Sequence, residues 1–330
     1  MKKLICVSLL SICCLSCTKT TDKTVIKNAE LIGTITALND SLFFGAIVDI
    51  ESANNHYYLS DLGTNQLIVV DSNFNYIRSI GRSGPGPEEI KGIGSIEILN
   101  DKIAIQDAAG MKILFYDTAG TFLSANKAFF NMSEFALGDS SMIGQVFGEV
   151  KNPLAKYSLR TLQKTSFGLD SDKRWGYPSK HVKLIDSLII TVNKLNLPAF
   201  FIYDLKGNFL KSTDLSNHPL ISPWYNDLDI ENMVKNNTPM SGTSQIVFAD
   251  ISTLNNKLYL HMPPLGRKNG PKQTFVFEAQ FDDQLNVSIV KGFLFKSNHL
   301  FTSFTISPDG NYIIAFDQAL GGILKFKLNE

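Results

Sequence analysis

Cysteine is absent from this chain after residue 17. All four cysteines of the 330 residues lie in the stretch CVSLLSICCLSC, residues 6–17. The chain beyond that stretch can form no disulfide, no thiol redox centre and no thiolate metal site. It must therefore be held together by burial of a core, and a chain of this length is ample for that.

Several other features are scarce. Lysine and arginine together number 31, as do aspartate and glutamate, so no basic excess indicates a nucleic-acid partner. The five histidines are scattered singly and lack the spacing of zinc ligands. No G-x-S-x-G, H-E-x-x-H or Walker sequence is present. The sequence thus predicts no cofactor and no metal, and it identifies no catalytic residue, which leaves enzymatic activity open.

The N-terminus carries an export signal. Met1-Lys2-Lys3 precedes an apolar run, residues 4–15, which is shorter than the ~20 residues that span a bilayer and fits the h-region of a signal peptide. Without the two lysines, 29 basic residues face 31 acidic ones, a net charge of −2. The segment could be an ordinary cleaved signal peptide, a buried N-terminal helix or the signal peptide of a lipoprotein.

The sequence Cys14-Leu15-Ser16-Cys17, at the end of the apolar run, resembles the lipobox of bacterial lipoproteins. The lipobox usually has an aliphatic residue at the position before Leu15, and Cys14 departs from this. The resemblance implies a signal peptide over 1–16 and lipidation of Cys17, the cysteine that becomes the new N-terminus. Residues 18–29 are predicted to be a polar tether, so that 17–29 is the anchored segment. We expect a bacterial cell-envelope location at the outer membrane, with the periplasmic or surface face left open.

One pattern recurs along the rest of the chain: an apolar alternating run, an acidic turn and a second alternating run, which predicts a β-hairpin. The copies are LIVVDSNFNYIRSI (67–80), ILFYDTAGTFLSAN (113–126), FFIYDLKGNFLKST (200–213) and, more weakly, FVFEAQFDDQLNVSIV (275–290). Asp71 and Asp117 are 46 residues apart, whereas Asp117 and Asp204 are 87 apart. A degenerate copy, KYSLRTLQKTSFGL (156–169), is therefore predicted between them.

A further pair of short strands precedes each hairpin, so that four strands recur every 40 to 50 residues, the period of a propeller blade. Residues 30–330 are therefore predicted to form an all-β, six-bladed β-propeller, with a short helix expected only at 226–236. The last blade has three strands at the C-terminus. ELIGTITAL (30–38) is predicted to pair with 322–328 and close the ring, because an open edge favours association.

Two motifs carry a resemblance to known propellers. Ser307-Pro308-Asp309-Gly310 resembles the SPDG turn of TolB-type propellers, in which Asp-Gly supplies positive φ angles. The segment GRSGPGPEEI (81–90) resembles the G-R-x-G-x-G-P-x-E segment of TolB-like or NHL-like propeller lipoproteins of Bacteroidetes. The resemblance covers the strand pattern of essentially the whole chain after the signal. It implies the architecture and an envelope location, and it implies no substrate.

Polar residues end strand b of each predicted blade. They are Asp61, Asp107, Glu149, Asn193, His261 and Asp317. In a propeller, strand a lines the channel, and the b–c loops share one face with the d-to-a connections. These side chains are predicted either to form a polar ring at the channel mouth that holds a cation or a polyol, or to bond the backbone of their own turns.

The two tryptophans lie outside the strands, in connections that should share that face. With their neighbours they predict an aromatic-walled ligand cleft over blades three to five; the candidate residues are Arg174, Trp175, Tyr177, Trp224, Tyr225, His261 and Arg267. The alternative is that both tryptophans pack the long insertion 214–244 onto the propeller.

Two further segments resemble ligand loops only in part. The glycine-rich residues 81–94 lack the Gly-Lys-Ser/Thr ending of a phosphate loop, so we predict a d-to-a crossover in which Arg82 or Glu88 ties adjacent blades. Residues 227–231 (DLDIE) space carboxylates as calcium loops do, but the central glycine and distal glutamate of an EF-hand are missing.

The prediction for function is a lipid-anchored envelope propeller that acts as a non-catalytic ligand- or protein-binding module. Its expected partners are the membrane, through the anchor, and a glycan, peptide or envelope protein. The alternative is an envelope enzyme, such as a lyase, a lactonase or a glycan-active hydrolase, with its site at the channel mouth. A purely structural partner in an outer-membrane complex is a third interpretation.

Overall fold

The structure, a computed structural model, describes residues 24–39, 42–127, 132–146, 151–169, 179–195, 197–222, 246–264, 273–295 and 299–328. These residues form the predicted six-bladed propeller, in which every blade is a four-stranded antiparallel sheet. The predicted helix at 226–236 lies outside the described residues. No described helix is long and apolar enough to cross a membrane.

The first three blades follow the predicted order a, b, c, d from the channel outward. Blade one contains β4 (Ile47–Ala53), β5 (His56–Asp61), β6 (Gln66–Asp71) and β7 (Tyr76–Ile80). Blade two contains β8 (Ile93–Leu99), β9 (Lys102–Asp107), β10 (Lys112–Asp117) and β11 (Phe122–Asn126). Blade three, the degenerate copy, contains β12 (Met132–Leu137), β13 (Ser141–Val146), β14 (Leu154–Ser158) and β15 (Lys164–Phe167).

The last three blades repeat this order. Blade four contains β16 (Lys180–Ile185), β17 (Leu188–Asn193), β18 (Ala199–Asp204) and β19 (Phe209–Asp214). Blade five contains β20 (Asp250–Leu254), β21 (Lys257–Met262), β22 (Thr274–Phe281) and β23 (Val287–Phe295). Blade six contains β24 (Phe301–Ile306), β25 (Tyr312–Asp317), β26 (Gly322–Leu328) and the N-terminal strand β1 (Val25–Ile35). A short pair, β2 (Ala37–Asn39) and β3 (Leu42–Phe43), leads into blade one.

Ring closure by the N-terminus is confirmed, with two differences from the prediction. Ala29 to Ile35 pair antiparallel with Leu328 to Ile323 of β26, as expected. The strand begins at Val25, however, so the polar tether ends before that residue rather than at residue 29. Val25 to Ala29 pair in parallel with Lys291 to Phe295 of β23, which joins blades five and six into one eight-stranded sheet. The predicted tether boundary was wrong because Val25 to Ala29 pair with β23, a strand far away in the sequence, and no local pattern predicts that pairing.

The core lies between the blades rather than at the centre. Apolar side chains of each pair of neighbouring blades form a buried cluster. One cluster packs Ile50, Tyr57 and Leu59 of blade one against Phe316 and Ile323 of blade six. The first and last blades are therefore in contact, and the apolar runs of strands b and c are explained because both of their faces are covered.

An Asp side chain organises the turn between strands c and d. The Asp71 carboxylate accepts hydrogen bonds from the backbone nitrogens of Asn73 and Asn75 and from the Asn75 side-chain amide. Asp204 and Asp282 make the same contacts with Asn208 and Asn286. Because the carboxylate accepts from turn nitrogens that lack a backbone partner, an Asp begins the c–d turn of blades one, two, four and five, whereas Ser158 takes this position in blade three.

Candidate functional site

The inner strands bring two layers of polar side chains into the central channel. Four of the turns between strands a and b begin with a residue of positive φ: Asn54, Asn100, Asp186 and Asn255. Counted back from these turns, the third residues are Glu51, Glu97, Lys183 and Ser252, and the fifth are Asp49, Ser95, His181 and Asp250. Because side chains alternate between the two faces of a strand, residues three and five positions before the turn point to the same side in each of these strands.

Lys183 crosses the channel. Its Nζ lies 2.5 Å from Oε1 of Glu51 on blade one and 2.7 Å from Oε1 of Glu97 on blade two, although Lys183 itself belongs to blade four. All three side chains are mostly buried. Burial alone would lower the pKa of Lys183, but Glu51, Glu97 and Asp49 outweigh it and raise that pKa well above its usual value. The ammonium therefore stays charged and holds three blades together.

Asp49 and Asp250 link neighbouring blades in the second layer. Oδ2 of Asp49 accepts a 2.8 Å hydrogen bond from the backbone nitrogen of Ile96 on the next blade. Oδ2 of Asp250 accepts a 2.9 Å hydrogen bond from that of Phe304, also on the next blade, and a second one from the Ser303 hydroxyl. These carboxylates supply hydrogen bonds between inner strands that do not pair with each other through their backbones.

The electrostatic environment of Asp49 is unfavourable to its charged form. Burial raises its pKa well above the usual value, and the nearby Glu51 and Asp250 carboxylates raise it further, while Lys183 and the Ile96 amide act in the opposite direction. Lys183 thus has three carboxylates near it, those of Glu51, Glu97 and Asp49, and Asp250 lies near Asp49.

The free space beside these groups is small. A cavity of about 100 Å³ is lined by residues of all six inner strands, among them Asp49, Glu97, Lys183 and Asp250. Pockets for organic ligands usually have ~300 Å³ or more. Within the described part of the chain, no three His, Cys, Asp or Glu side chains are placed so that they could hold a metal ion. The channel centre is thus suited to a few water molecules and to holding the blades in register.

The predicted channel-mouth ring is not an open site. Asp61 is fully buried and accepts hydrogen bonds from the backbone nitrogens of Gly45, Ala46 and Gly63. Asp107 is also fully buried and accepts three, from Lys91, Gly92 and Gly110. Each carboxylate joins the turn after strand b to the segment that enters strand a, which is the second of the two predicted alternatives. Oδ2 of Asp107 lies 3.8 Å from Nζ of Lys112.

The other members of that ring have different surroundings. Asp317 accepts hydrogen bonds from the backbone nitrogens of Ala319 and Leu320 and lies 2.6 Å from Nδ1 of His299. Asn193 accepts a 2.7 Å hydrogen bond from Nζ of Lys180, whose pKa burial lowers to about 7. Glu149 lies outside the described residues.

His261 does not overhang the channel mouth as predicted. It is fully buried, and its ring packs 5.5 Å from that of Phe301 and 5.9 Å from that of Phe304. Neither ring nitrogen has a hydrogen-bond partner among the described residues. Burial, with a smaller effect of His181, lowers the pKa of His261 to about 3, so the ring is neutral and belongs to the core between blades five and six.

The remaining residues of the predicted aromatic cleft, Arg174, Trp175, Tyr177, Trp224, Tyr225 and Arg267, lie outside the described residues, as does the acidic stretch 227–231. The strand ends that flank them are described. The connections between β15 and β16, between β19 and β20, and between β21 and β22 span 168–179, 215–249 and 263–273. Two are d-to-a crossovers and one is a b–c connection, so their ends lie on the predicted common face.

The glycine-rich segment is a crossover from blade one to blade two, as predicted, but a different set of contacts ties it. Arg82 pairs with Glu89 inside the loop at 2.9 Å, and Oε2 of Glu89 accepts a hydrogen bond from the Gly86 nitrogen. A side chain at Gly84 would collide with the Glu89 carboxylate at 2.2 Å. The motif thus folds on itself.

Blade two holds this loop from outside. Nζ of Lys112 donates to the backbone carbonyls of Gly86 and Pro87, and the Tyr116 hydroxyl donates to the carbonyl of Glu88. The link between blades therefore runs through loop carbonyls rather than through the side chains of Arg82 or Glu88. In the SPDG turn, Gly310 has positive φ, and Asp309 caps the turn by accepting from the Ser307 hydroxyl and the Asn311 nitrogen.

Sequence reasoning missed the charged residues of the channel. It placed strand a at the channel correctly but took the polar ring from the ends of strand b. The available signal was the recurrence of polar residues three and five positions before each a–b turn. What no pattern shows is that Lys183 reaches Glu51, 132 positions away.

These features define a six-bladed β-propeller with a closed, salt-bridged centre. Residues 36–156 match the model of a family described as a 6-bladed beta-propeller. No curated protein matches the chain in sequence.

Solved structures agree on the fold. A predicted exported protein of Bacteroides fragilis is 15% identical with a TM-score of 0.58, and the match covers 93% of this chain and 99% of that one. A protein of the duf4221 family from Bacteroides vulgatus is 10% identical with a TM-score of 0.57, and the match covers 92% and 98%. The resemblance to propellers of Bacteroidetes is thereby confirmed. Streptogramin B lyase is 12% identical with a TM-score of 0.51 over 88% of this chain and 96% of that one, a likeness of fold alone.

Proposed function

We propose that the protein is a lipid-anchored propeller of the bacterial cell envelope that binds a ligand or a protein partner without chemical turnover. The observation that carries this proposal is the use of the channel charges. Lys183 forms ion pairs with both Glu51 and Glu97, and Asp49 and Asp250 accept backbone hydrogen bonds from the next blade. Groups engaged in this way stiffen a scaffold, and rigid scaffolds display binding residues on their connecting loops.

The similarity to a predicted exported propeller of Bacteroides supports an extracytoplasmic location. Ser16-Cys17 at the end of the apolar run supports lipidation at Cys17 and anchoring, most simply in the outer membrane. The proposed binding residues are the aromatic and basic ones of the three long connections, Arg174, Trp175, Tyr177, Trp224, Tyr225 and Arg267. Large rings beside polar groups suit sugars and peptide side chains.

Lipidation is tested by expressing the chain and its Cys17→Ala variant in a bacterium that is fed an alkyne-labelled fatty acid. We expect the label and membrane fractionation for the parent chain and neither for the variant. Label retained by Cys17→Ala would refute the anchor.

Binding is tested through intrinsic fluorescence, because Trp175 and Trp224 are the only two tryptophans. Purified envelope polysaccharides and peptidoglycan fragments are titrated into the protein and into Trp175→Phe and Trp224→Phe. A saturable spectral shift that is lost or halved in the two variants supports the cleft. Chemical conversion of a bound probe, followed by mass spectrometry, would refute a non-catalytic role and favour the lyase or hydrolase alternative.

A further inference from the structure

The N-terminal strand β1 has a peculiar exposure pattern. Among its 11 residues, Val25, Ile26, Leu31 and Ile32 expose 50%, 42%, 42% and 47% of their surfaces. Burial of Ala29 fixes the strand onto the propeller, because Ala29 packs in the cluster between blades five and six. The exposed apolar side chains are therefore held on a fixed outer rim. We refer to Val25, Ile26, Lys27, Leu31 and Ile32 as the β1 rim.

Lysines surround this apolar stretch. Strand β1 and its two partners, β23 and β26, carry Lys27, Lys291, Lys325 and Lys327 but Glu30 as their one acidic residue. Lys291 Nζ is 4.0 Å from buried Glu278, and Lys325 Nζ lies over the Tyr312 ring. A chain of overall charge −2 after its signal thus concentrates a local excess of positive charge beside exposed aliphatic side chains.

Strand β1 is paired along its whole length, but each half has a different partner. Val25 to Ala29 pair with β23, and Ala29 to Ile35 pair with β26. Lysines beside a strand edge oppose the addition of another strand, so the rim is suited to contact through its side chains. Exposed apolar side chains with flanking lysines match the interfacial layer of an anionic bilayer.

The short tether from the lipidation site keeps β1 near the bilayer. Eight peptide units separate Cys17 from Val25, and a fully extended chain spans at most about 3.5 Å per residue, or about 28 Å in all. The start of β1 is consequently the part of the described propeller that the anchor holds closest to the bilayer along the chain.

We propose that the β1 rim is a membrane-docking surface that orients the propeller on an anionic lipid bilayer, with the junction of blades five and six against the lipid. This proposal rests on the lipid anchor of the proposed function. It places the junction of blades two and three, on the opposite side of the ring, farthest from the membrane.

The experiment uses the lipidated full-length protein in vesicles of phosphatidylcholine and phosphatidylglycerol. Lipidation blocks Cys17, so a cysteine introduced by Ile32→Cys is the single free thiol of the processed chain and can carry a fluorescent probe. The matched control is Leu123→Cys on the outer strand of blade two, whose native side chain is similarly exposed at 51%. We expect brominated lipids to quench the probe at position 32 and not the probe at position 123.

Charge is tested in the same system with Lys27→Gln and Lys327→Gln. Each change should lower the ratio of docked to undocked protein by about fivefold on anionic vesicles and leave it unchanged on pure phosphatidylcholine. Equal quenching at positions 32 and 123, or none at position 32, would overturn the docking proposal while acyl labelling of Cys17 still supports the anchor. A dimer of the Cys17→Ala chain that Leu31→Ser dissociates would also overturn it, in favour of a second copy.

Discussion

The ammonium of Lys183 lies 2.7 Å from the Glu97 carboxylate, and so blade four is joined to blade two across the channel. The same ammonium reaches Glu51 of blade one. One side chain thereby fixes the relative positions of three sheets that share no backbone hydrogen bonds. The ion pairs in the channel therefore have a structural role, and ligand binding is proposed for the loops.

Replacing Lys183 should destabilise the fold strongly at neutral pH. Lys183→Met leaves Glu51 and Glu97 mostly buried without their cation, and the expected loss in the free energy of unfolding is about 3 kcal/mol. Urea denaturation at pH 7.5 measures it. The control is Lys156→Met, whose ammonium donates to the Leu205 carbonyl at the surface. The triple variant with Glu51→Gln and Glu97→Gln should recover part of the loss, and equal losses in both single variants would contradict the prediction.

Replacing Asp49 should have the opposite effect on the free energy of unfolding. Its pKa is raised in the folded protein by burial and by Glu51 and Asp250, so protonation favours folding and the charged form costs stability as pH rises through the folded pKa. Asp49→Asn keeps an acceptor for the Ile96 nitrogen and removes the charge. We expect it to be neutral or stabilising at pH 8, with a benefit that disappears toward pH 4. Destabilisation that grows with pH would refute this assignment.

Replacing Asp61 tests the capping role of the strand-b residues. Asp61→Ala removes the acceptor of three backbone nitrogens at a fully buried position, and we expect a loss of about 3 kcal/mol. Asp71→Ala, at an exposed turn with a similar set of bonds, is the matched control and should lose much less. Chemical denaturation compares the two. Full stability of Asp61→Ala, with loss of a bound cation instead, would restore the ring as a ligand site.

The buried His261 should make the fold sensitive to mild acid. Its pKa is about 3 in the folded protein and ~6.5 when unfolded, so the unfolded state binds a proton first. The contribution of neutral His261 to the free energy of unfolding is fully present above pH 6.5. Below that pH the free energy of unfolding falls by up to about 1.4 kcal/mol per pH unit. Thermal melts between pH 7.5 and 4.5 measure the slope. His261→Phe, which keeps the ring contacts, should flatten it, and an unchanged slope would show that other groups cause the acid sensitivity.

The N-terminal strand should be essential, unlike the segment before it. Deleting 25–35 exposes the edges of β23 and β26 together, so we expect a melting temperature lower by many degrees and a tendency to associate. Deleting 18–22 shortens the tether only and should leave the melt unchanged. Similar melts of the two deletion variants would contradict the role of β1 in ring closure.

The sequence by itself determined the fold to the level of blades. Apolar runs in strands b and c, an acidic residue at the c–d turns of blades one, two, four and five, and a period of 40 to 50 residues are all visible in consecutive residues, because strands and turns form through local chemistry. The missing fourth strand of the last blade likewise predicted that 30–38 would pair with 322–328. Even so, the start of β1 at Val25 depended on β23, a strand more than 260 residues away, and no local pattern contains it.

Tertiary structure alone decided what the polar residues do. Asp61 and Asp49 are similar in sequence context, each an acid in an apolar strand. The first is enclosed by the nitrogens of its own turn and the incoming segment, whereas the second meets the next blade, two other carboxylates and Lys183. The difference arises because a propeller brings six inner strands to one axis. The charges that meet there come from positions 86 and 132 residues apart, which only the closed ring brings into contact.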